Sequence, residues 1–209
     1  MPRQALIIVD VQNDFCPGGS LPVPDGDQVV PVINRIQPLF ELVIATQDWH
    51  PANHVSFAAN HPGRNVGDVI EVDGLPQILW PVHCVQDSPG AAFHPDLDTS
   101  RIVHIVRKGT DPRVDSYSGF FDNARRRDTG LAKLLRELGV SEVTICGLAT
   151  DYCVKFTALD AKELGFDTTV IVDACRGVDL RPEDVSEAIR LMQSRGIKIA
   201  QSTALLGGS

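Results

Sequence analysis

A chain of 209 residues with 43% hydrophobic, 22% charged and 6% aromatic residues has the make-up of an ordinary globular protein, with no composition break that divides it, so residues 1–209 read as one domain. A formal net charge of −8 and a pI near 5.1 argue against nucleic acid as a partner, since phosphate backbones are bound by clustered positive charge. The one basic run, Arg125 to Arg127, reads as a solvated approach to a helix.

In chain order, the first apolar run is Ala5 to Val9, too short for a signal-peptide core or a membrane span, which points to a cytoplasmic protein without membrane contact. Leu42 to Thr46 is the second run. From about 47 to 100 follows a long excursion rich in proline, with five histidines and no long helical pattern, and loops of that length carry function more often than connection. The remaining runs are Ile102 to Val106, Glu142 to Cys146, Thr168 to Val172 and Ile197 to Ala200. Their nearly continuous apolar character predicts strands buried on both faces of a parallel sheet, and it makes His104, inside the third run, a core residue.

Helical period appears at Leu131, Leu134, Leu135 and Leu138, at Val154, Ala158, Ala161 and Leu164, and at Val185, Ile189 and Met192. Each pattern ends near a glycine, Gly139, Gly165 or Gly196, as a helix stop requires. Strand, helix, glycine, strand is the right-handed crossover unit, and the fold class is α/β, a three-layer α/β/α arrangement around six parallel strands, Rossmann-like in plan.

Ligands of open parallel sheets bind beyond the carboxyl ends of the strands. Three polar residues stand at such ends: Asp10 after the first strand, Lys108 after the third, and Cys153 a few residues past the fourth. The five cysteines, Cys16, Cys84, Cys146, Cys153 and Cys175, are odd in number and without a CxxC pair, so they read as free thiols. If a helix starts at Thr150 or Asp151, Cys153 lies in its first turn, where free N–H groups and the helix dipole favour the thiolate and lower the thiol pKa. Taken singly, Asp10 could be a cap, Lys108 a surface charge and Cys153 core filler; one sheet edge gathering all three favours base, cation and nucleophile.

A second cluster begins at Asp48 and His50, which project to the same side of an extended segment, and His83 offers a third ligand. Two imidazoles and a carboxylate suit one catalytic divalent metal, with zinc first and iron or manganese as alternatives. Phe15, Trp80 and Tyr152 lie beside these clusters, and flat rings there would sandwich a planar heterocycle. A thiol, an acid and a lysine indicate amide or ester chemistry; the metal and aromatics turn that chemistry toward a heterocyclic carboxamide.

Five motifs occur in order: Val9-Asp10-Val11-Gln12-Asn13-Asp14-Phe15-Cys16-Pro17-Gly18-Gly19, Asp48-Trp49-His50-Pro51-Ala52-Asn53-His54, Trp80-Pro81-Val82-His83-Cys84-Val85, Lys108-Gly109, and Gly147-Leu148-Ala149-Thr150-Asp151-Tyr152-Cys153-Val154. Together, over nearly the whole chain, they resemble the nicotinamidase family of the isochorismatase-like cysteine hydrolases. The resemblance implies a six-stranded parallel sheet and hydrolysis of nicotinamide, and of pyrazinamide, to the acid and ammonia through a thioester, in NAD salvage. It further implies Asp10 as proton acceptor, Lys108 as electrostatic partner and Cys153 as nucleophile. The N–H groups of Ala149 and Cys153 become the oxyanion hole beside a cis Leu148–Ala149 peptide. Substrate contacts fall to Phe15, Trp80, Leu148 and Tyr152, and the metal to Asp48, His50 and His83. His54 and Ser56 stand where relatives differ and are left off the ligand set.

Rival readings are an isochorismatase, which needs no thiol, a carbamoyl hydrolase, which has less use for the metal, and a metal-binding or redox-sensing protein that would release no ammonia. Monomer and homodimer suit the sequence equally.

Overall fold

The computed structural model describes residues 3–207. In chain order the strands are β1 (Arg3–Val9), β2 (Leu42–Asp48), β3 (Val69–Val72), β4 (Leu75–Ile78), β5 (Ile102–Lys108), β6 (Val140–Leu148), β7 (Asp167–Arg176) and β8 (Lys198–Ala200). The α-helices are α1 (Val29–Ile36), α2 (Leu131–Glu137), α3 (Lys155–Glu163), α4 (Asp184–Ser194) and α5 (Ser202–Leu206). All six apolar runs enter one parallel sheet in the order β5-β2-β1-β6-β7-β8. Helices α1 and α5 pack together against β7, while α2 and α3 pack on β6 and β7 with α4 beside α3 and β8, giving the three layers.

The sheet grows away from β1 in both directions, toward β2 and β5 on one side and toward β6, β7 and β8 on the other. Chain direction therefore diverges at the β1/β6 boundary, and a crevice opens beyond the carboxyl ends of those strands. Strands β1, β2 and β6 are buried almost throughout, as continuous apolar runs require.

Strand β5 departs from expectation because it is the sheet edge. Val103 and Ile105 are 55% and 52% exposed, and His104 is exposed too, so it is not a core residue. The run reads as apolar because β-branched residues suit any strand; edge position is set by tertiary order and leaves no local mark.

Helix α1 has no counterpart among the sequence expectations because Pro31 interrupts it. Pro31 is its third residue, where backbone N–H groups lack intrahelical acceptors, so the ring is tolerated while Val29, Val30, Ile33 and Ile36 turn inward. Inside the long excursion, Asp73 and Gly74 at φ 51° and 81° make the turn between β3 and β4, the conformation that an Asp-Gly pair favours. Among the described residues, no helix is long and apolar enough to cross a membrane.

Candidate active site

Four strand ends deliver the central polar groups. Asp10 follows β1, Asp48 closes β2, Lys108 closes β5, and Cys153 stands just past β6. All four are buried, Asp10 at 0% and Lys108 at 2% exposure, so each charge must find its partner within the protein. Lys108 is the hub. Its Nζ lies 2.9 Å from Asp10 Oδ2, forms a close ion pair with Asp48 Oδ1, donates to the Ser116 carbonyl at 2.9 Å and reaches Cys153 Sγ at 3.4 Å.

Burial alone would strip the charge from Lys108, but the Asp10 and Asp48 carboxylates outweigh it and hold the ammonium well above its usual pKa. Asp48 is likewise drawn well below the carboxylate range by Lys108 and His50 against its burial. Asp10 goes the other way: burial raises it more than Lys108 and the Thr46 hydroxyl, 2.6 Å from Oδ1, lower it. Asp10 Oδ2 receives no well-directed hydrogen bond despite its nearness to Lys108, so this oxygen keeps a lone pair free to accept a proton.

The segment Thr150–Val154 is a single wide π-type turn, with the Val154 N–H bonded to the Ala149 carbonyl at 3.1 Å, before α3 begins at Lys155. Cys153 thus sits at a helix start as expected, but its thiol is not acidified. Burial, with the Asp10 and Asp48 charges, lifts its pKa well above the ordinary value, and Lys108 offsets only part of that. A helix start and a nearby lysine both favour the thiolate, but the desolvation and the two carboxylates that the fold adds outweigh them. The Leu148–Ala149 peptide is cis.

Asp48, His50 and His83 bring one ligand atom each within 4.8 Å of one another. Asp48 Oδ2 lies 3.4 Å from His50 Nε2 and 3.9 Å from His83 Nε2. Each imidazole is fixed from behind: His50 Nδ1 donates to the Gly109 carbonyl at 2.8 Å, and His83 Nδ1 to the Pro81 carbonyl at 2.7 Å. In the neutral ring that arrangement leaves each Nε2 lone pair facing Asp48, and His50 Nε2 is a buried atom without a well-directed hydrogen bond. Burial and His50 lower His83 to about 4, so it is neutral and able to donate its lone pair. Asp48 pulls His50 upward against its burial. An orphaned nitrogen, a second neutral imidazole and an ionised carboxylate aimed at one point fit a divalent metal ion.

Gly109 makes this possible: its φ is +65°, and a Cβ there would stand 2.4 Å from His50 Cε1. Gln12 fixes the carboxylate's backbone, its side chain donating to the Asp48 carbonyl and accepting from the Asp48 N–H, both at 2.9 Å. The His54 ring lies 4.0 Å from that of His50, and its nitrogens face Ser56 Oγ at 2.7 Å and the Val114 carbonyl at 3.3 Å. Arg125, Arg126 and Arg127 are exposed and ion-paired to Asp160, Asp73 and Asp111, away from the cleft.

The two clusters meet at a cavity whose lining includes Phe15, Trp80, Tyr152, Cys153, Ala149, Asp48 and His83. Leu148, expected as a substrate contact, is not among the lining residues, and its side chain is fully buried in the core. Asp115 and Tyr117 line the cavity without having been expected there, and the Tyr117 hydroxyl accepts from Trp80 Nε1 at 3.3 Å. Their signal, the Asp115-Ser116-Tyr117-Ser118 stretch seven residues past Lys108, is no different in composition from an ordinary polar loop.

An isochorismatase domain matches residues 4–204. The nicotinamidase of Escherichia coli strain K12 is 52% identical over 200 residues, covering 94% of this chain and 93% of that protein. A nicotinamidase/pyrazinamidase of Acinetobacter baumanii superposes with a TM-score of 0.95 at 48% identity, over 98% of this chain and 99% of that one. The pyrazinamidase of Pyrococcus horikoshii, solved in complex with zinc, gives a TM-score of 0.78 at 45% identity, over 96% and 99%. By sequence, superposition and extent of match, this chain belongs to the isochorismatase-domain family.

Proposed function

We propose that this chain hydrolyses nicotinamide, and with it pyrazinamide, to the carboxylic acid and ammonia, with Cys153 as nucleophile. The observation that carries the reading is the convergence of Cys153 Sγ, Lys108 Nζ and Asp10 Oδ2 beside a cavity walled by aromatic rings. Its likeness to nicotinamidases over nearly the full chain supports the same substrate.

Since the resting thiol is held protonated, attack and deprotonation go together: Asp10 Oδ2 takes the Sγ proton as the sulfur bonds to the carboxamide carbon. The backbone N–H groups of Ala149 and Cys153, both at the cavity wall, donate to the oxyanion that develops. Asp10 then passes its proton to the amide nitrogen, the C–N bond breaks, ammonia leaves and a thioester to Cys153 remains. Asp10 next deprotonates a water that attacks the thioester carbon; the C–S bond breaks, the proton on Asp10 returns to sulfur, and the acid leaves and ionises to nicotinate in solution. Throughout, Lys108 stays charged between Asp10 and Asp48 and stabilises negative charge on Sγ or Asp10 alike. Phe15, Trp80 and Tyr152 hold the ring, with Tyr117 fixing Trp80.

Asp48, His50 and His83 would hold a divalent ion, zinc before iron or manganese, which when bound would supply a Lewis acid toward the ring nitrogen. Five free cysteines suit work in a reducing cytoplasm, and nicotinate is the product class that NAD salvage consumes.

The test is ammonia release from nicotinamide, pyrazinamide and a set of carbamoyl compounds, with metal analysis of the same protein. Turnover of the two ring carboxamides, and loss of metal together with activity in His50→Ala, is the expected result. Preference for carbamoyl compounds would overturn the reading.

A further inference from the structure

Asp151 precedes the nucleophile by two residues and takes no part in the chemistry above, yet it is only 2% exposed. Both of its oxygens are engaged: Oδ1 accepts from the Val178 N–H at 2.9 Å and Oδ2 from the Asp179 N–H at 2.8 Å. Those amides belong to the segment leaving β7, 27 and 28 positions further along the chain. Val178 lines the catalytic cavity, while Leu180 and Arg181, which follow it, line a broad groove on the outer side that shares Tyr152 with the cavity. One short segment is therefore wall to both spaces.

The segment is held closely on two sides. A Cβ on Gly177 would stand 2.1 Å from Val185 Cγ2 and 3.1 Å from Asp151 Oδ1, so the backbone is seated directly between α4 and the carboxylate. On the other side, Asp179 returns a bond of its own, its Oδ1 accepting from the Val185 N–H at 3.3 Å. Only a carboxylate can accept on both oxygens; an amide of the same shape presents one acceptor and one donor, and the donor would face an N–H.

We infer that Asp151 is a positioning residue that latches the Gly177–Arg181 segment onto the turn carrying Cys153, fixing the cavity wall at Val178 and favouring a single-ring carboxamide over a wider one. The inference rests on the amidase reading above, since it concerns the substrate of that same site. Asp151→Asn keeps size and one hydrogen bond but opens the latch.

The experiment compares wild type, Asp151→Asn and Val178→Ala by three readings: KM and kcat for nicotinamide, the inhibition constant of the two-ring analogue quinoline-3-carboxamide, and hydrogen exchange at the Val178 and Asp179 amides. In Asp151→Asn, exchange at these amides speeds up about tenfold and KM rises about tenfold with kcat within roughly threefold, the effect of one lost buried hydrogen bond. The ratio of the quinoline inhibition constant to KM narrows roughly fivefold, and Val178→Ala narrows it likewise with the latch intact, so a misfolded Asp151 variant would leave the second arm to decide. Unchanged exchange in a folded Asp151→Asn, a kcat loss without a KM change, or an unaltered ratio in Val178→Ala would overturn the latch. Failure of the wild type to turn over nicotinamide would instead strike the proposed function, and exchange, which needs no turnover, would still judge the latch.

Discussion

Asp10, Lys108 and Cys153 stand at or just past the ends of parallel strands, whereas His50 and His83 stand in irregular backbone beyond them. The first set is placed by the sheet itself: ladder pairing fixes β1 against β2 and β6, and the side chains beyond the carboxyl ends have little freedom left. The second set has no ladder and relies on individual bonds, the imidazoles held by the Gly109 and Pro81 carbonyls and the His50 backbone by Cys84 and Gln86. Loop-built ligands therefore depend on single backbone positions, while strand-built groups depend on the whole core. Lys108, paired both to Asp10 and to Asp48, the strand-end carboxylate that faces the two imidazoles, is where the two constructions join.

The comparison breaks most completely at that junction. Lys108→Met leaves two carboxylates buried without a cation, which costs about 3–5 kcal/mol. Chemical denaturation should show that loss, and ammonia release and bound metal should fall together. Gly109→Ala separates the halves instead. Its methyl intrudes on His50 and its φ is unfavourable for alanine, so metal affinity should fall by about 10–100-fold while the rate of Cys153 alkylation stays within about twofold. Metal titration and iodoacetamide labelling of the same variant check both parts.

The smallest effect concerns the resting thiol. Its pKa is raised, so the thiolate is scarce below that value and grows only as pH climbs through it; labelling of Cys153, corrected with Cys153→Ser, should stay slow at pH 7 and still be rising at pH 9. A plateau by pH 8 would restore the acidified thiol that a helix start alone suggests.

Most of the scaffold was legible because its strands are continuous β-branched runs and its later helices end on glycines with positive φ, Gly139, Gly165 and Gly196. Both are local signals. What escaped was collective. The edge position of β5, and with it the exposure of His104, follows from strand order; α1 is hidden by a proline that only its place in the first turn makes harmless. At the site, residue types and strand ends indicated Asp10, Asp48, Lys108 and Cys153, which chemistry makes conspicuous. Tyr117 and Asp115 are common loop residues that line the cavity only because the chain folds back over the cleft, and the burial of the Leu148 side chain follows from packing that no local pattern shows. The direction of the Cys153 shift was unreadable for the same reason, since desolvation belongs to the packed molecule rather than to any segment.

Ammonia release from nicotinamide by Cys153→Ala, compared with the wild type at matched metal content, is the most direct measure of the account. With the covalent intermediate proposed on Sγ, the rate should fall by roughly a thousandfold or more while bound metal and melting temperature are kept. A variant that releases ammonia at the wild-type rate would contradict nucleophilic catalysis at Cys153.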